Sequence, residues 1–490
     1  MKTGKAFLII CLLALISLLA FAQHTEAKIS LPAILGDNMI LQQQSKVKLW
    51  GKAAEKIKVT VKTSWNNNVY AVTSDDKGNW LTEISTPAGS HTPYNISITD
   101  GEEELLLKNV LIGEVWFCSG QSNMEMPLKG FPGQPVAGAL DVIIKAKADT
   151  PIRLFTTDSK DGKWVRQFNK QVQADCQGRW MEHTPEHVAN ISAVGYYFAR
   201  AIQSALGIPV GIIVSTWGGS KVEAWMSREA LKPFSTEIDL SFLDNRDEVK
   251  NPTQTPVVLY NAKIAPLTNF VIRGFLWYQG ESNRGDTGLY ARLMPAFVND
   301  LRTKWNIGDF PFYFVQIAPH NYDGIDRTSA ARLREVQEQN MREIANAGMV
   351  TTMDIGDPQL IHPAEKATVG NRLAYWALAE TYQKLHFGYK PPTYREMEID
   401  GSAIILSFDN AEQGICPIGS VLKGFEIAGE DRLFIPAKAI EKGGRIIVSS
   451  ESVPTPVAVR YLYKNFAEAT VFNIFGIPVS PFRTDDWPTE

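Results

Sequence analysis

The chain has 490 residues, which is enough for two to four domains and for a large apolar core that needs no disulfide or metal ion to hold it together. Hydrophobic residues make up 44% of the sequence and charged residues 21%, as in globular proteins, so disorder and fibrous repeats are excluded. The net charge is −4 and no block of Lys or Arg occurs, so a nucleic acid is not an expected partner.

Residues 1–22 have the pattern of a signal peptide. Lys2 and Lys5 form a basic start, an apolar stretch follows over residues 6–19, and Ala20-Phe21-Ala22 provides a small-residue cleavage site. A membrane anchor is the alternative, but the apolar run is short for a span, and no other run reaches about 18 apolar residues. We therefore expect an exported protein, periplasmic or secreted, with no membrane span in the mature chain.

Residues 28–109 consist of short alternating stretches separated by glycine-containing turns, which predicts a β-sandwich module. Residues 110–388 alternate apolar strands with helical stretches, which predicts an α/β domain with a parallel sheet. Residues 391–490 return to short alternating strands and predict a second β module. The strands predicted in the α/β domain are Val110–Cys118, Val210–Val214, Gly274–Trp277, Phe312–Ile317 and Met349–Met353.

In open parallel sheets, active sites lie beyond the carboxyl ends of the strands, so residues that follow each strand are the candidates. Ser122 stands two residues after Gly120, where the first buried strand ends. A nucleophilic serine needs an exposed hydroxyl next to backbone N–H groups, and this position offers both. The second glycine of the G-x-S-x-G motif is absent, and a serine that caps a helix is the alternative.

Two further strand ends carry polar or glycine-rich segments. The segment Trp217-Gly218-Gly219 allows close backbone approach to a ligand, and Trp217, Trp225 and Trp277 offer apolar faces to a sugar. The segment Gln279-Gly280-Glu281-Ser282-Asn283 concentrates donors and acceptors that need partners. The alternatives are a tight turn, core tryptophans and polar groups that solvent satisfies.

His362 lies in a loop beyond the fifth strand and is the candidate general base, with an expected ionisation at about pH 6 to 7. His183 and His187 are four residues apart, but Pro185 separates them and no third ligand is evident, so no metal is expected. The mature chain keeps three cysteines, an odd number that argues against a disulfide framework, although one bridge is allowed. They are Cys118, Cys176 and Cys416.

Several segments together resemble the sialate O-acetylesterase family of SGNH-type carbohydrate esterases. They are VWFCSGQSNMEMPL, VSTWGGSKVEAW, APLTNFVIRGFLWYQGESN, DIGDPQLIHPAEKATVGNRLA and VFNIFGIPVSPFRTDDW. The resemblance implies a flavodoxin-like α/β/α core with flanking β modules and no cofactor. It also implies that Ser122 is the nucleophile and His362 the base, and that the Ser122 amide, Gly219 and Asn283 are oxyanion donors.

The third member of the triad departs from the SGNH pattern. Many SGNH enzymes have an aspartate three residues before the histidine, and Gln359 stands there. Asp357 is our choice because it lies in the same loop, and Asp354 and Glu281 are the alternative carboxylates. We assign Gln121 and Gln279, which flank the polar strand ends, to the substrate region.

We therefore expect a serine carbohydrate O-acetylesterase that acts on an acetylated sugar through an acetyl-enzyme. A deacetylase of plant hemicellulose is an alternative, because the motifs do not fix the sugar. A secreted carbohydrate-binding protein without activity is another, and the loss of Ser122 or His362 would favour it. Both residues are present.

Overall fold

The computed structural model describes residues 28–160, 163–245, 248–417 and 422–489. The predicted signal peptide lies outside these residues, so export stays a prediction. In the described ranges, no helix is both long and apolar enough to cross a membrane.

Seven strands in the described part of the chain form a central sheet. They are β1 Glu104–Gly120, β2 Ile152–Thr156, β3 Trp180–Glu182, β4 Val210–Thr216, β5 Gly274–Tyr278, β6 Phe312–Val315 and β7 Ala347–Val350. Their order in the sheet is β3-β2-β4-β1-β5-β6-β7. All neighbouring strands are parallel except β3, which runs antiparallel to β2. The prediction of a mixed α/β protein with a mostly parallel sheet is confirmed.

The order β4-β1-β5-β6-β7, taken without the two edge strands, is the 2-1-3-4-5 order of a flavodoxin-like sheet. The finer assignment to SGNH hydrolases stays a prediction. In this order the strands that follow β1 in the chain lie on both sides of it, with β4 on one side and β5 on the other. The carboxyl end of β1 is therefore a topological switch point. Ligands bind at such points, and Ser122 follows β1 there.

Helices cover both faces of the sheet because successive strand residues point to opposite sides. Trp116 and Leu276 pack in an apolar cluster with α2 and α5, whereas Phe117 and Phe275 pack in the other cluster with α3 and α4. The helices are α1 Ser122–Glu125, α2 Ala193–Leu206, α3 Thr287–Trp305, α4 Ser329–Glu343 and α5 Lys366–Trp376. Shorter α-helices span Ala139–Ile144, Pro185–Asn190 and Arg228–Leu231.

Strand β1 continues from the N-terminal strands into the central sheet. Its first half pairs antiparallel with Ser90–Thr99 and parallel with Ile40–Gln42. The predicted boundary at 109/110 therefore falls within one continuous strand, and the division into modules stays a prediction. The other N-terminal strands are Lys46–Lys52, Lys58–Thr63, Val69–Thr73 and Asn79–Ser85.

The C-terminal strands surround their own apolar cluster and contact the central part of the chain through α4. The fully buried guanidinium of Arg334 donates to the carbonyl oxygens of Lys464 at 3.1 Å and Asn465 at 2.7 Å. The longer strands are Thr393–Asp400, Ala403–Asp409, Phe425–Ala428, Lys438–Lys442, Arg445–Ser449 and Ala458–Tyr461, and the shorter ones are Ile415–Pro417, Ile435–Pro436, Val471–Asn473 and Phe482–Arg483.

Candidate active site

Ser122 is the first residue of α1 and is partly exposed directly beyond β1. Gly120, with φ of 139°, allows β1 and β5 to approach there, since a side-chain carbon on it would lie 2.1 Å from the Tyr278 carbonyl oxygen. Gln121 N–H donates to the same oxygen at 3.0 Å. The first N–H groups of a helix have no partner within the helix, and the Ser122 amide is one of them. Its role as an oxyanion donor stays a prediction.

The segment after β4 lies against the serine. A side-chain carbon on Gly218 would lie 3.3 Å from Cβ of Ser122. Gly218 N–H donates to the Glu125 carboxylate, which also pairs with Arg166, so this amide is already used. Gly219 is exposed with φ of 72°, and its carbonyl accepts from Gln254 Nε2 at 2.6 Å. Its role as oxyanion donor stays a prediction.

Asn283 is only 7% exposed, and its side-chain amide braces the loop after β4. Nδ2 donates to Glu223 Oε2 at 2.9 Å, and Oδ1 accepts from Val222 N at 3.1 Å and Gln279 Nε2 at 2.7 Å. One N–H of this amide is engaged by Glu223, so at most the other can serve an oxyanion. These contacts give Asn283 a supporting role in addition to the predicted donor role.

His362 makes its side-chain hydrogen bond to Gln134, because Nδ1 lies 2.6 Å from Gln134 Oε1. An amide oxygen only accepts, so Nδ1 carries the proton and Nε2 has the free lone pair. Gln134 ends the tight turn Phe131-Pro132-Gly133-Gln134, in which Gly133 has φ of 73°. The Phe131 ring packs edge-on against His362 at 5.3 Å.

None of the three predicted carboxylates contacts the His362 imidazole. Asp357 Oδ1 accepts from the backbone N–H groups of residues 359 and 360, at 2.7 and 2.9 Å. Asp354 forms a two-pronged ion pair with Arg372, and Glu281 Oε1 accepts from Asn123 Nδ2 at 2.6 Å. The local loop thus bends the Asp357 carboxylate onto its own backbone, and the side chain bonded to His362 Nδ1 is Gln134. The role of Asp357 as the orienting carboxylate stays a prediction that these contacts do not support.

Gln121 and Gln279 are buried, and their side-chain amides bind groups of the loops at the strand ends. Gln121 Oε1 accepts from the backbone N–H groups of Gly280 and Ser282, both at 3.3 Å. Gln279 Nε2 donates to the Ser220 carbonyl at 3.0 Å and to Asn283 Oδ1. These contacts stabilise the loops, and the assignment of both residues to the substrate region stays a prediction.

Of the three tryptophans proposed as sugar platforms, Trp225 and Trp277 are fully buried in the core. Trp217 is partly exposed and lies next to Gly218. The exposed Phe168 ring lies 6.1 Å from it, and the Arg166 guanidinium lies 5.0 Å from its ring centroid. Trp217, with Phe168 against it, is therefore an accessible aromatic surface that adjoins the glycine lying against Ser122.

Asn123 brings the two catalytic candidates together. It follows Ser122 directly, and its Nδ2 donates to the carbonyl of Ile361, the residue before His362, at 3.1 Å. Its Oδ1 accepts from the ammonium group of Lys366 at 2.6 Å. The roles of Asn123, Lys366 and Gln134 were not predicted from the sequence. Asn123 and Lys366 belong to the motifs around Ser122 and His362, whereas Gln134 is 228 residues from the histidine and carried no signal.

In the residues that the structure describes, no group of three or more His, Cys, Asp or Glu side chains is arranged to hold a metal ion. His183 Nε2 lies 2.9 Å from the Tyr196 hydroxyl, and His187 Nδ1 lies 2.9 Å from the Glu182 carbonyl. Pro185 begins a short helix after His183, so the two histidines do not share one helical face. Cys118, Cys176 and Cys416 are free thiols.

The chain is similar in sequence and in fold to known proteins. The sequence model of a carbohydrate esterase family described as sialic acid-specific acetylesterase matches residues 112–379. Human sialate O-acetylesterase is 28% identical over 396 residues, which are 74% of this chain and 73% of the human protein. Mouse sialate O-acetylesterase is 26% identical over 509 residues, covering 91% of this chain and 92% of the mouse protein.

A solved structure is similar over nearly the whole length. It is a carbohydrate acetylesterase from Xanthomonas citri, 33% identical, with a TM-score of 0.83. The match covers 94% of this chain and all of the other. The similarity therefore includes the β-strands on both sides of the central sheet.

The environment of His362 predicts activity that extends far into the acid range. Burial, the charge of Lys366 and the nearby His320 together lower the pKa of His362 to about 4. A base must be unprotonated to accept the serine proton, so the rate should rise with pH through this value and stay high above it. Measuring kcat/KM for 4-nitrophenyl acetate between about pH 3 and 8 checks this. An acid limb at about 6.5, the value of an unperturbed histidine, would contradict it.

Proposed function

The chain belongs to the carbohydrate esterase family of sialic acid-specific acetylesterases, and from this premise we propose that it removes acetyl groups from sugar hydroxyls by serine catalysis. Ser122 is the nucleophile, His362 is the general base and Gln134 orients the histidine. Membership of this family makes the chain a carboxylic ester hydrolase, which removes the alternative of a binding protein without activity.

The observation that carries this proposal is the hydrogen bond from Asn123 to the Ile361 carbonyl at 3.1 Å. It joins the residue after Ser122 to the residue before His362, although the two segments are 238 residues apart in the chain. Two side chains whose backbones are held in this way meet the first requirement of a nucleophile and its base, which is proximity.

In the first half of the reaction, Ser122 Oγ attacks the acetyl carbonyl carbon while Nε2 of His362 takes the hydroxyl proton. The carbonyl oxygen becomes an oxyanion, and the N–H groups of Ser122 and Gly219 are the proposed donors to it, with Asn283 as a third. The intermediate collapses as the bond to the sugar oxygen breaks, and His362 returns the proton to that oxygen. The products are the free sugar hydroxyl and an acetylated Ser122.

In the second half, a water molecule replaces the sugar. Its oxygen attacks the acetyl carbonyl carbon as Nε2 takes one of its protons, and the bond to Ser122 Oγ then breaks. His362 returns the proton to Oγ, acetic acid leaves and ionises in solution, and the enzyme is restored. One base therefore serves both halves, which requires that the same nitrogen faces the serine throughout.

Gln134 holds His362 in the required orientation, and it does so with a neutral side chain. Its Oε1 accepts from Nδ1 of His362 at 2.6 Å, which fixes the ring so that Nε2 is unprotonated. An amide dipole stabilises an imidazolium less than a carboxylate does, and this agrees with the low pKa of His362. His362 is therefore a weak base that stays unprotonated, and so able to accept the serine proton, at every pH well above its pKa of about 4.

The sugar is proposed to lie on the aromatic surface of Trp217 and Phe168. Trp217 precedes Gly218, whose backbone lies against Ser122, so a ring stacked there would bring its acetyl group to the serine. O-acetylated sialic acid and acetylated hemicellulose oligosaccharides are the two substrate candidates. Comparing acetate release from both substrates identifies the sugar.

We predict that Ser122→Ala lowers kcat/KM by about 10³-fold or more, because no other hydroxyl takes the place of a removed nucleophile. The measurement is hydrolysis of 4-nitrophenyl acetate, together with the melting temperature. Ser452→Ala, at an exposed site in the C-terminal strands, is the matched control and should leave the rate unchanged. A Ser122→Ala enzyme that stays within about tenfold of the wild type would rule out the proposed mechanism.

We predict that Gln134→Met lowers kcat about 10- to 100-fold because His362 loses the acceptor that fixes its ring. Gln134→Glu should instead raise the pKa of His362 and move the acid limb to higher pH, since a carboxylate stabilises the imidazolium. Asp357→Asn is the comparison, and it should change kcat less than about threefold because its oxygen can still accept from the loop amides. A larger effect of Asp357→Asn than of Gln134→Met would restore Asp357 as the orienting residue.

A further inference from the structure

Lys366 is a buried ionisable group that has no part in the reaction steps above. Its side chain is fully buried, and its Nζ donates to Asn123 Oδ1 at 2.6 Å. Burial lowers the pKa of this ammonium group to about 7, although the charge of Glu281 opposes the shift. A lysine in such a place is costly for folding, so its presence calls for a compensating role.

Asn123 connects this lysine to a buried carboxylate. Its Nδ2 donates to Glu281 Oε1 at 2.6 Å, and burial raises the pKa of Glu281. The amide thus accepts from a cation on one side and donates to a carboxyl group on the other. Hydrogen bonds to charged partners are about twice as strong as neutral ones, and the two polarise the amide in the same direction.

The hydrogen bonds among Lys366, Asn123 and Glu281 connect the segments that carry the candidate catalytic residues. Asn123 follows Ser122 in α1, and Lys366 begins α5, four residues after His362. Glu281 lies beyond β5, on the segment that also carries Asn283. The Lys366 to Asn123 bond therefore connects the start of α5, four residues after the base, to the helix that carries the nucleophile.

We propose that Lys366 is a positioning residue of the esterase, whose ammonium group holds Asn123 and thereby keeps Ser122 in register with His362. The inference rests on the proposed Ser122 and His362 mechanism. An ammonium group suits this role because it only donates hydrogen bonds, and the side-chain oxygen of Asn123 only accepts them. Lys366 reaches this oxygen in a fully buried space. The Nζ also lies 5.6 Å from the centroid of the Tyr278 ring at the end of β5.

The same charge acts on the base. Lys366 is the largest charged contribution that lowers the pKa of His362, after burial itself. The other ionisable groups around this part of the site are His320 on the neighbouring loop, Asp357 and Glu365 on the segment of the histidine, and Glu281 with Arg284 beyond β5. Loss of the Lys366 charge should therefore raise the pKa of His362 and shift the acid limb of the pH profile to higher pH. A loss of packing alone would not cause this shift.

The test is Lys366→Met, which keeps the length of the side chain and removes its charge and donors. We expect kcat for 4-nitrophenyl acetate to fall about 10²-fold, as a misplaced catalytic pair does, and the acid limb to move to higher pH. Lys384→Met changes an exposed lysine in the same way and should match the wild type. A Lys366→Met enzyme with wild-type kcat and an unmoved acid limb would overturn the inference.

A second variant separates positioning from stability. Lys366→Met together with Glu281→Gln leaves no unpaired buried carboxylate, so the melting temperature should recover toward the wild-type value. Since the bond that holds Asn123 is still absent, kcat should stay low and the acid limb should stay shifted. Recovery of kcat together with the melting temperature would show that Lys366 acts on stability alone and would refute the proposal.

Ser122→Ala, assayed in parallel, distinguishes failure of this inference from failure of the proposed function. An inactive Ser122→Ala enzyme beside a normal Lys366→Met enzyme overturns the positioning role alone. An active Ser122→Ala enzyme overturns the mechanism on which that role depends.

Discussion

The geometry of the site depends on three hydrogen bonds made by one buried amide, that of Asn123. Its Nδ2 donates to Glu281 and to the Ile361 carbonyl, and its Oδ1 accepts from Lys366. The parallel sheet brings the ends of β1 and β5 to one edge, but it does not fix the distance between loops that follow different strands. The buried Asn123 amide restrains this distance, because a displacement of α1 or of the histidine loop would strain or break one of its three hydrogen bonds where water cannot replace it.

The electrostatics of the site follow from the same network. Burial and the nearby Lys366 lower the pKa of His362, and the group at its Nδ1 is the neutral Gln134 rather than a carboxylate. The imidazole thus remains unprotonated over a wide pH range, at the expense of basicity. Such a base suits an ester, whose carbonyl is more reactive than that of an amide, and in the proposed mechanism the oxyanion donors supply the remaining stabilisation.

The sequence predicted the parallel sheet, the positions of Ser122 and His362 beyond its strands, and the family, because apolar strands and strand-end motifs are local signals. It did not predict Gln134, since the tight turn that ends there is evident from Pro132 and Gly133 but its contact with a histidine 228 residues away is set by packing. Proximity in sequence favoured Asp357, yet a short loop bends that carboxylate back onto its own amides. For Trp225 and Trp277 the sequence left a sugar surface and the core both open, because an aromatic residue near a strand end fits either, and both are buried in the core.

The central claim is that Ser122 is a nucleophile activated by His362, and covalent labelling tests it most directly. A fluorophosphonate reacts with activated serine hydroxyls, and mass spectrometry of the digested protein locates the adduct. We expect a single phosphonyl group on the peptide that contains Ser122, and its loss in a His362→Ala enzyme that remains folded. An adduct on a different residue, or undiminished labelling without His362, would show that Ser122 is not activated by His362.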